Sequence, residues 1–145
     1  MLKSLVTEIL GSPVAPQPAA EGLQPFRGLN RVLLIFSDRD NAAAARQENL
    51  VLAERDGLAE RDMIVLRIRG SAVQPLFGSP PPLDAERLRR DMDVVDGEFC
   101  TVLVAKDGTS KLRGGKPVSA GEIFALIDAM LDQEAAALSG AGMKR

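Results

Sequence analysis

The sequence lacks several residues on which enzyme chemistry commonly depends. Among its 145 residues there is no histidine, tryptophan or tyrosine, and Cys100 is the only cysteine. Without histidine the chain has no Ser-His-Asp or Cys-His pair, no His-ligated zinc and no imidazole base near neutral pH. A lone cysteine excludes zinc fingers, iron–sulfur cages, CxxC redox pairs and any intrachain disulfide. We therefore expect neither a cofactor nor a metal centre.

Charge and aromatic content argue against a nucleic-acid partner. The formal net charge is −2, so the chain has no general positive charge that would attract phosphate groups. The five phenylalanines are scattered, so they offer no aromatic surface on which nucleic-acid bases could stack. No apolar run has the length of a membrane span, and Thr7 and Glu8 interrupt the apolar start of the chain, which makes a poor signal peptide. We expect a cytoplasmic protein with no nucleic-acid and no membrane partner.

The chain divides into a short N-terminal segment, one domain and a tail. Apolar residues at helical spacing predict a short amphipathic helix, and they are Leu2, Leu5, Val6, Ile9 and Leu10. The Pro- and Ala-rich residues that follow, as far as residue 25, predict an extended linker. Because so short a helix is marginal in water, we expect it to dock on its own domain, on a second copy of the chain or on an unknown protein partner. The domain then covers 26–138, and 139–145 form a flexible tail.

Two apolar runs joined by an alanine-rich stretch predict a βαβ unit. Arg31–Phe36 reads as a strand buried on both faces, and Met63–Ile68 reads as a second strand. Between them, Ala42–Asp56 is rich in helix formers, and Gly57 suits the end of that helix. A helix that crosses between two strands makes them parallel, with a right-handed connection.

The middle and second half of the chain predict a short helix and a hairpin. Gly- and Pro-rich residues 70–82 indicate an irregular loop, and a helix over Asp84–Met92 is capped by its first residue. Thr101–Ala105 reads as a buried strand. A type I′ turn at Asp107-Gly108 then returns the chain antiparallel along Ser110–Arg113, an exposed edge strand.

The final segment completes the predicted fold. Ser119 and Glu122 form a capping box, and the helix that follows is expected to run to about Leu138. The element order is βαβ, a helical excursion and then ββα. This order predicts an α/β fold: a thioredoxin-like, mixed, four-stranded sheet with helices on both faces.

Several segments also match a known family. The most specific run extends from Asp96 to Gly108, followed by Lys111-Leu112-Arg113. With Glu60-Arg61-Asp62 and Ile127-Asp128-Ala129-Met130, these residues make the chain resemble the bacterial domain-of-unknown-function family numbered 4174. That family is similar to a domain of animal extracellular proteins that bear sushi repeats. The resemblance implies a thioredoxin-like fold closest to peroxiredoxins, and it does not supply a reaction.

The resemblance to thioredoxins makes Cys100 a candidate. It places Cys100 where thioredoxins carry a cis-proline, facing the loop Ser37–Asn41, which in them would hold the CxxC. That loop has no cysteine, so dithiol chemistry is excluded. Cys100 is then either the nucleophile of a one-cysteine enzyme or a small buried residue. Arg39 is the only evident cation near it, and Asp38 and Asp40 oppose a thiolate, so we predict an ordinary or raised thiol pKa.

Polar side chains offer two further candidate sites. Asp38 and Asp40 follow the first strand, but two carboxylates are too few for a divalent cation, and capping of the next helix by Asp40 or Asn41 is favoured. The predicted hairpin and the residues beside it carry four cations: Lys106, Lys111, Arg113 and Lys116. Together they could bind a small anion, and the alternative is that they are the solvated charges of an exposed edge strand.

Three functional hypotheses remain open at this point. The leading one is a thioredoxin-like binding or assembly module without catalysis. The second is a one-cysteine thiol oxidoreductase or peroxide sensor that uses Cys100. The third is a small-anion-binding module, for which the ligand candidates are Asp38, Arg39 and Asp40 in the loop and Lys106, Lys111 and Arg113 in the hairpin.

Overall fold

The computed structural model describes residues 21–143 of the chain, with side chains as far as Leu131. Five strands are present in this part: β1 (Arg31–Phe36), β2 (Met63–Arg69), β3 (Ala72–Phe77), β4 (Cys100–Val104) and β5 (Ser110–Gly114). A 3₁₀ helix (Glu21–Phe26) precedes them, and the α-helices are α1 (Ala42–Leu52), α2 (Arg55–Glu60), α3 (Ala85–Met92) and α4 (Ala120–Met143). The predicted N-terminal helix and the linker before residue 21 lie outside the described residues.

The strands form one mixed sheet in the order β3-β2-β1-β4-β5. β1 pairs with β2 in parallel and with β4 antiparallel, and β5 closes one edge as the antiparallel partner of β4. These pairings confirm the predicted βαβ unit, the predicted hairpin and the α/β thioredoxin-like class.

The predicted number of strands is wrong, because residues 72–77 of the expected loop form β3 at the other edge of the sheet. Pro75 lies inside this strand, where it removes a backbone donor. An edge strand tolerates that loss, since one of its sides has no neighbour in the sheet. The ladder also shifts register beside it, between Val65 and Leu66. The glycine and proline residues of this segment therefore led to the prediction of a loop where the chain forms an edge strand.

Helices cover both faces of the sheet, as predicted. Every residue of β1 is buried, and its alternate side chains enter two separate cores. Val32, Leu34 and Phe36 pack with the 3₁₀ helix and α3, whereas Leu33 and Ile35 pack with α1, α2 and α4. No helix within residues 21–143 combines the length and apolarity that crossing a membrane requires.

The last residues of the predicted linker belong to the folded domain. Residues 21–25 are not extended, because Glu21–Phe26 forms the 3₁₀ helix. Leu23 and Phe26 are buried in the same core as α3, and the backbone N–H of Gly22 donates to Asp91 at 2.9 Å. The burial of two large side chains outweighs the preference of Pro25 for extended chain.

The predicted single helix after β1 is two helices. α1 ends at Leu52, Glu54 leaves helical geometry, and α2 begins at Arg55. Gly57 therefore lies inside α2 rather than at a helix end. A Cβ built on Gly57 would stand 2.4 Å from the Phe124 ring of α4, so close helix packing explains the glycine there.

The turn between β4 and β5 differs from the predicted type I′ turn, which needs positive φ at both central residues. Gly108 has φ +88°, but Asp107 is not among the residues with positive φ. The carbonyl of Ala105 accepts from the N–H of Gly108 at 2.9 Å, and the Asp107 carboxylate accepts from the N–H of Thr109 at 2.9 Å. This side-chain contact stabilises a longer, five-residue connection over 105–109.

The predicted N-caps Asp84 and Ser119 are confirmed, but the Glu122 carboxylate accepts from the Ser119 hydroxyl and not from its backbone N–H, and the predicted end of the last helix is wrong. Asp84 accepts from the backbone N–H groups of Glu86 and Arg87, and the Ser119 hydroxyl accepts from the N–H of Glu122 at 3.2 Å. α4 continues to Met143, beyond the predicted end near Leu138. Two glycines, Gly140 and Gly142, lie within this helix, because a glycine lowers helix stability by only about 1 kcal/mol relative to alanine and does not by itself end a helix.

Candidate functional site

A shallow cleft of about 250 Å³ opens where β1 and β2 end. The residues that line it, here called the Asp38 cleft, are Ser37, Asp38, Arg39, Arg69, Gly70, Asp96 and Gly97. An isolated parallel bridge between Asp38 and Gly97 joins the loop after β1 to the loop before β4. Open α/β sheets place ligands at the carboxyl ends of their parallel strands, so this cleft is the candidate site.

The carboxylate of Asp38 fills the N-terminus of α1. Its two oxygens accept from the backbone N–H groups of Ala43 and Ala44, each at 3.0 Å. Burial raises the pKa of Asp38, but the donors at Ala43 and Ala44 outweigh it and lower the pKa to about 2. Asp38 is therefore ionised at neutral pH, and its charge compensates the positive end of the helix dipole.

The prediction that Asp40 or Asn41 caps α1 is only partly right. Asn41 makes no side-chain cap bond, because its φ is +63° and its side-chain oxygen accepts from the Ser37 hydroxyl at 2.7 Å. Asp40 accepts from one N–H, that of Ala42, at 3.2 Å. The main cap is Asp38, which reaches N–H groups five and six residues ahead. Rules for helix caps consider only the residue directly before the helix, so they do not predict a cap from Asp38.

Two guanidinium groups flank the cleft. Both Arg39 and Arg69 are exposed, and among the described residues neither forms an ion pair with a carboxylate. A Cβ on Gly97 would lie 3.5 Å from Nε of Arg39, so that guanidinium rests beside the glycine. Arg69 Nη2 is 3.4 Å from the carbonyl oxygen of Arg39, to which it donates. The two cations thus belong to one cleft.

The other carboxylate in the cleft is already paired. Asp96 forms an ion pair with Arg89 at 3.2 Å, and Arg89 also donates to the carbonyl of Gly70. Arg89 therefore joins the loop after β2 to the loop before β4 and offsets the charge of Asp96. No group of three or more Cys, Asp or Glu side chains in the described residues is arranged to hold a metal ion.

Cys100 is buried and does not line the cleft. It begins β4, lies opposite Phe36 in the ladder and is 6% exposed. Burial raises the pKa of the Cys100 thiol above its ordinary value, against the lowering effects of Arg113 and the N–H of Gly114. The raised pKa agrees with our prediction, but the cation near the sulfur is Arg113 and not Arg39.

The cations of the hairpin do not converge on one site. Lys106 pairs with Asp62 at 2.9 Å, whereas Arg113 donates to the backbone carbonyls of Met92 and Asp93 at the end of α3. Lys111 lies near Asp107 instead. Burial raises the pKa of Asp107, but hydrogen bonds from Thr109 and the charge of Lys111 lower it overall. Each of these three side chains serves a separate contact.

Arg69, Gly70, Asp96 and Gly97 were missed as site residues by sequence reasoning. A signal for Arg69 was present, because Arg69 ends β2 and Gly70 follows it, just as Ser37-Asp38 follows the end of β1. Parallel strands end at the same edge of a sheet, so the two segments had to meet. Asp96 and Gly97 precede β4, which pairs antiparallel with β1 and therefore begins at that edge. The expectation that Cys100 faces the loop after β1 already indicated this segment.

The fold and the cleft define a thioredoxin-fold protein whose first helix begins at a carboxylate instead of a cysteine. The chain belongs to the family described as Domain of unknown function (DUF4174), whose model matches residues 22–135. Among curated proteins, none matches this sequence.

Two solved peroxiredoxin structures share this fold. One is the reduced 2-Cys peroxiredoxin of Plasmodium vivax, with 18% identity and a TM-score of 0.54 over 78% of this chain and 84% of that one. The other is thioredoxin peroxidase I of Plasmodium yoelii, with 21% identity and a TM-score of 0.57 over 78% of this chain and 79% of that one. At these identities the likeness shows the fold alone.

Proposed function

We propose that this chain is a non-catalytic binding module that holds its ligand in the Asp38 cleft. The observation that carries the proposal is the Asp38 carboxylate, which accepts from Ala43 and Ala44 at the N-terminus of α1. In thioredoxin-like proteins, this helix end is where a thiolate gains its stability. Here the Asp38 carboxylate binds these N–H donors instead. The start of the helix therefore still holds a negative charge, but that charge belongs to a group that is not a nucleophile.

The same carboxylate disfavours a thiolate at the start of α1. A thiolate that approached the start of α1 would meet the charge of Asp38 and would find the N–H groups of Ala43 and Ala44 already bonded. Nucleophilic attack on peroxide or on a disulfide requires a largely ionised and reachable thiol. The cleft supports binding better than it supports thiol chemistry.

The alternative is a one-cysteine thiol oxidoreductase or peroxide sensor that uses Cys100. In its favour, Arg113 and the N–H of Gly114 both lower the pKa of the thiol. Against it, burial raises that pKa by more, and the side chain is 6% exposed within an apolar core. A neutral, enclosed thiol reacts slowly with oxidants.

We therefore expect slow chemistry at Cys100 in the native chain. With a thiol reductant present, the full chain should consume hydrogen peroxide no faster than its Cys100→Ser variant. At pH 7, iodoacetamide should label native Cys100 at least about tenfold more slowly than it labels the urea-unfolded chain, because burial limits both ionisation and access. Catalytic peroxide loss that disappears in Cys100→Ser would overturn the binding proposal and favour the one-cysteine enzyme.

We also propose that the module self-associates, or docks on a protein partner, through the apolar stripe predicted over residues 2–10. Removing residues 1–12 should then lower the melting temperature or reduce the sedimentation coefficient, because the stripe needs an apolar surface to cover it. Sedimentation velocity and thermal unfolding of both chains at matched concentration measure this. If neither value changes, the segment has no role in self-association or in the stability of the chain.

A cytoplasmic location fits this proposal. A single unpaired cysteine suits a reducing compartment, where thiols stay free. Cell fractionation that recovered the protein outside the cytoplasm would contradict this inference without affecting the binding proposal.

A further inference from the structure

We propose that the Asp38 cleft binds an oxyanion, the carboxylate or phosphate group of a small molecule, between the guanidinium groups of Arg39 and Arg69. The inference rests on the proposed binding function and names its ligand class. Guanidinium groups match the geometry of both oxyanions, because their planar donors reach two oxygens at once.

The two guanidinium groups of the cleft have no carboxylate partner among the described residues. Neither Arg39 nor Arg69 forms an ion pair there, and Arg69 donates to a backbone oxygen, that of Arg39, at 3.4 Å. An oxyanion between them would offer stronger, charge-assisted acceptors. The cleft thus supplies two free cations and no free anionic partner for them among the described residues.

The carboxylates nearby are already compensated. Asp38 is bonded to the N–H groups of α1, and Asp96 is paired with Arg89 at 3.2 Å. Asp40 does not line the cleft, and it accepts from the N–H of Ala42. Both carboxylates of the cleft still repel an anion, and Asp96 is the one to change because Asp38 also caps α1: Asp96→Asn should strengthen binding.

The size and donors of the cleft limit the ligand. A volume of about 250 Å³ lies just below the usual range of ligand pockets, about 300–1,000 Å³, so the cleft suits an oxyanion on a small molecule. The Ser37 hydroxyl has one proton, and two acceptors of its own loop lie within reach of it, the carbonyl of Asp38 at 2.8 Å and the side-chain oxygen of Asn41 at 2.7 Å. Recognition consequently depends on the two arginines and not on a hydroxyl.

The test is a titration of the full chain at low ionic strength, with inorganic phosphate in one series and malonate in the other. The backbone amides of Gly70 and Gly97 report binding by NMR, since both lie in the cleft. We expect saturable shifts at these two amides with at least one probe. Low salt is used because screening weakens exposed charge pairs.

Variants separate specific binding from general attraction. Arg39→Gln and Arg69→Gln should each weaken binding about tenfold, the loss expected for one charge-assisted hydrogen bond. The matched control is Arg27→Gln, which removes an exposed arginine just before β1, at the opposite end of that strand from the cleft. It should change the affinity less than about twofold.

The outcomes are distinct. Saturation by phosphate alone or by malonate alone supports the proposal and assigns the ligand to that class. Absence of saturation with both probes, or an equal loss of affinity in Arg27→Gln, overturns it. This failure would leave the non-catalytic proposal standing, since only Cys100-dependent peroxide turnover contradicts that.

Discussion

Replacing Asp38 with cysteine, in a chain that also carries Cys100→Ser, should create a thiol with a pKa of about 7 or lower. The new sulfur would lie beside the N–H groups of Ala43 and Ala44, which now bind the carboxylate at 3.0 Å. Helix N-termini stabilise thiolates through these donors and through the dipole, and they lower cysteine pKa values to roughly 3.5–7.5. The pH dependence of the iodoacetamide labelling rate gives the pKa directly.

A cysteine two residues further on provides the matched control. Asp40→Cys in the same Cys100→Ser background places a thiol in the same loop, but Asp40 contacts only one N–H, that of Ala42 at 3.2 Å. Its pKa should stay near the ordinary value of about 8.5. At pH 6.5 the thiol at position 38 should therefore react at least about tenfold faster than the thiol at position 40. Equal rates would show that Asp38 does not stand in for a thiolate.

The central strands were predictable because burial leaves a clear pattern. The run Val32–Phe36 is apolar at every position, as a strand buried on both faces must be. The edge strand β3 left no such pattern, since only half of its residues are even partly buried and Pro75 interrupts it. Edge strands gain little from burial, so their sequences are less constrained and resemble loops.

The site was predictable only in part, for a related reason. The position of the loop after β1 follows from the βαβ order, and this brought Asp38, Arg39 and Asp40 into consideration. Their roles depend on tertiary contacts instead. Asp38 caps α1 across five residues, and Arg69 joins Arg39 because Phe36 pairs with Ile68 in the parallel register. A single sequence contains the residue types but not this register.

A buried glutamine holds α1, the helix that Asp38 caps, against the rest of the domain. Gln47 is completely enclosed. Its amide nitrogen donates to the carbonyl of Val118 at 2.8 Å, and its amide oxygen accepts from the N–H of Val118 at 2.7 Å and from the Thr101 hydroxyl at 2.9 Å. One side chain thus joins α1 to β4 and to the segment before α4.

Replacing Gln47 with methionine should lower the free energy of unfolding by about 3 kcal/mol. Methionine has a similar volume, so the loss comes from the polar groups of Thr101 and Val118 that stay buried without partners, each of which costs about 1–3 kcal/mol. Urea unfolding followed by circular dichroism measures the change. Gln24→Met, at an exposed glutamine of the 3₁₀ helix, is the control and should change stability by less than about 0.5 kcal/mol.

A double-mutant cycle separates lost hydrogen bonds from poor packing. Thr101→Val alone should destabilise the chain by about 1 kcal/mol, because it removes one donor to Gln47. In the Gln47→Met background the same change removes a hydroxyl that has already lost its partner, so it should be neutral or stabilising. The coupling energy should then be about 1 kcal/mol or more. Additive losses would mean that methionine simply fits the site badly, and that the hydrogen bonds of Gln47 do not hold α1 in place.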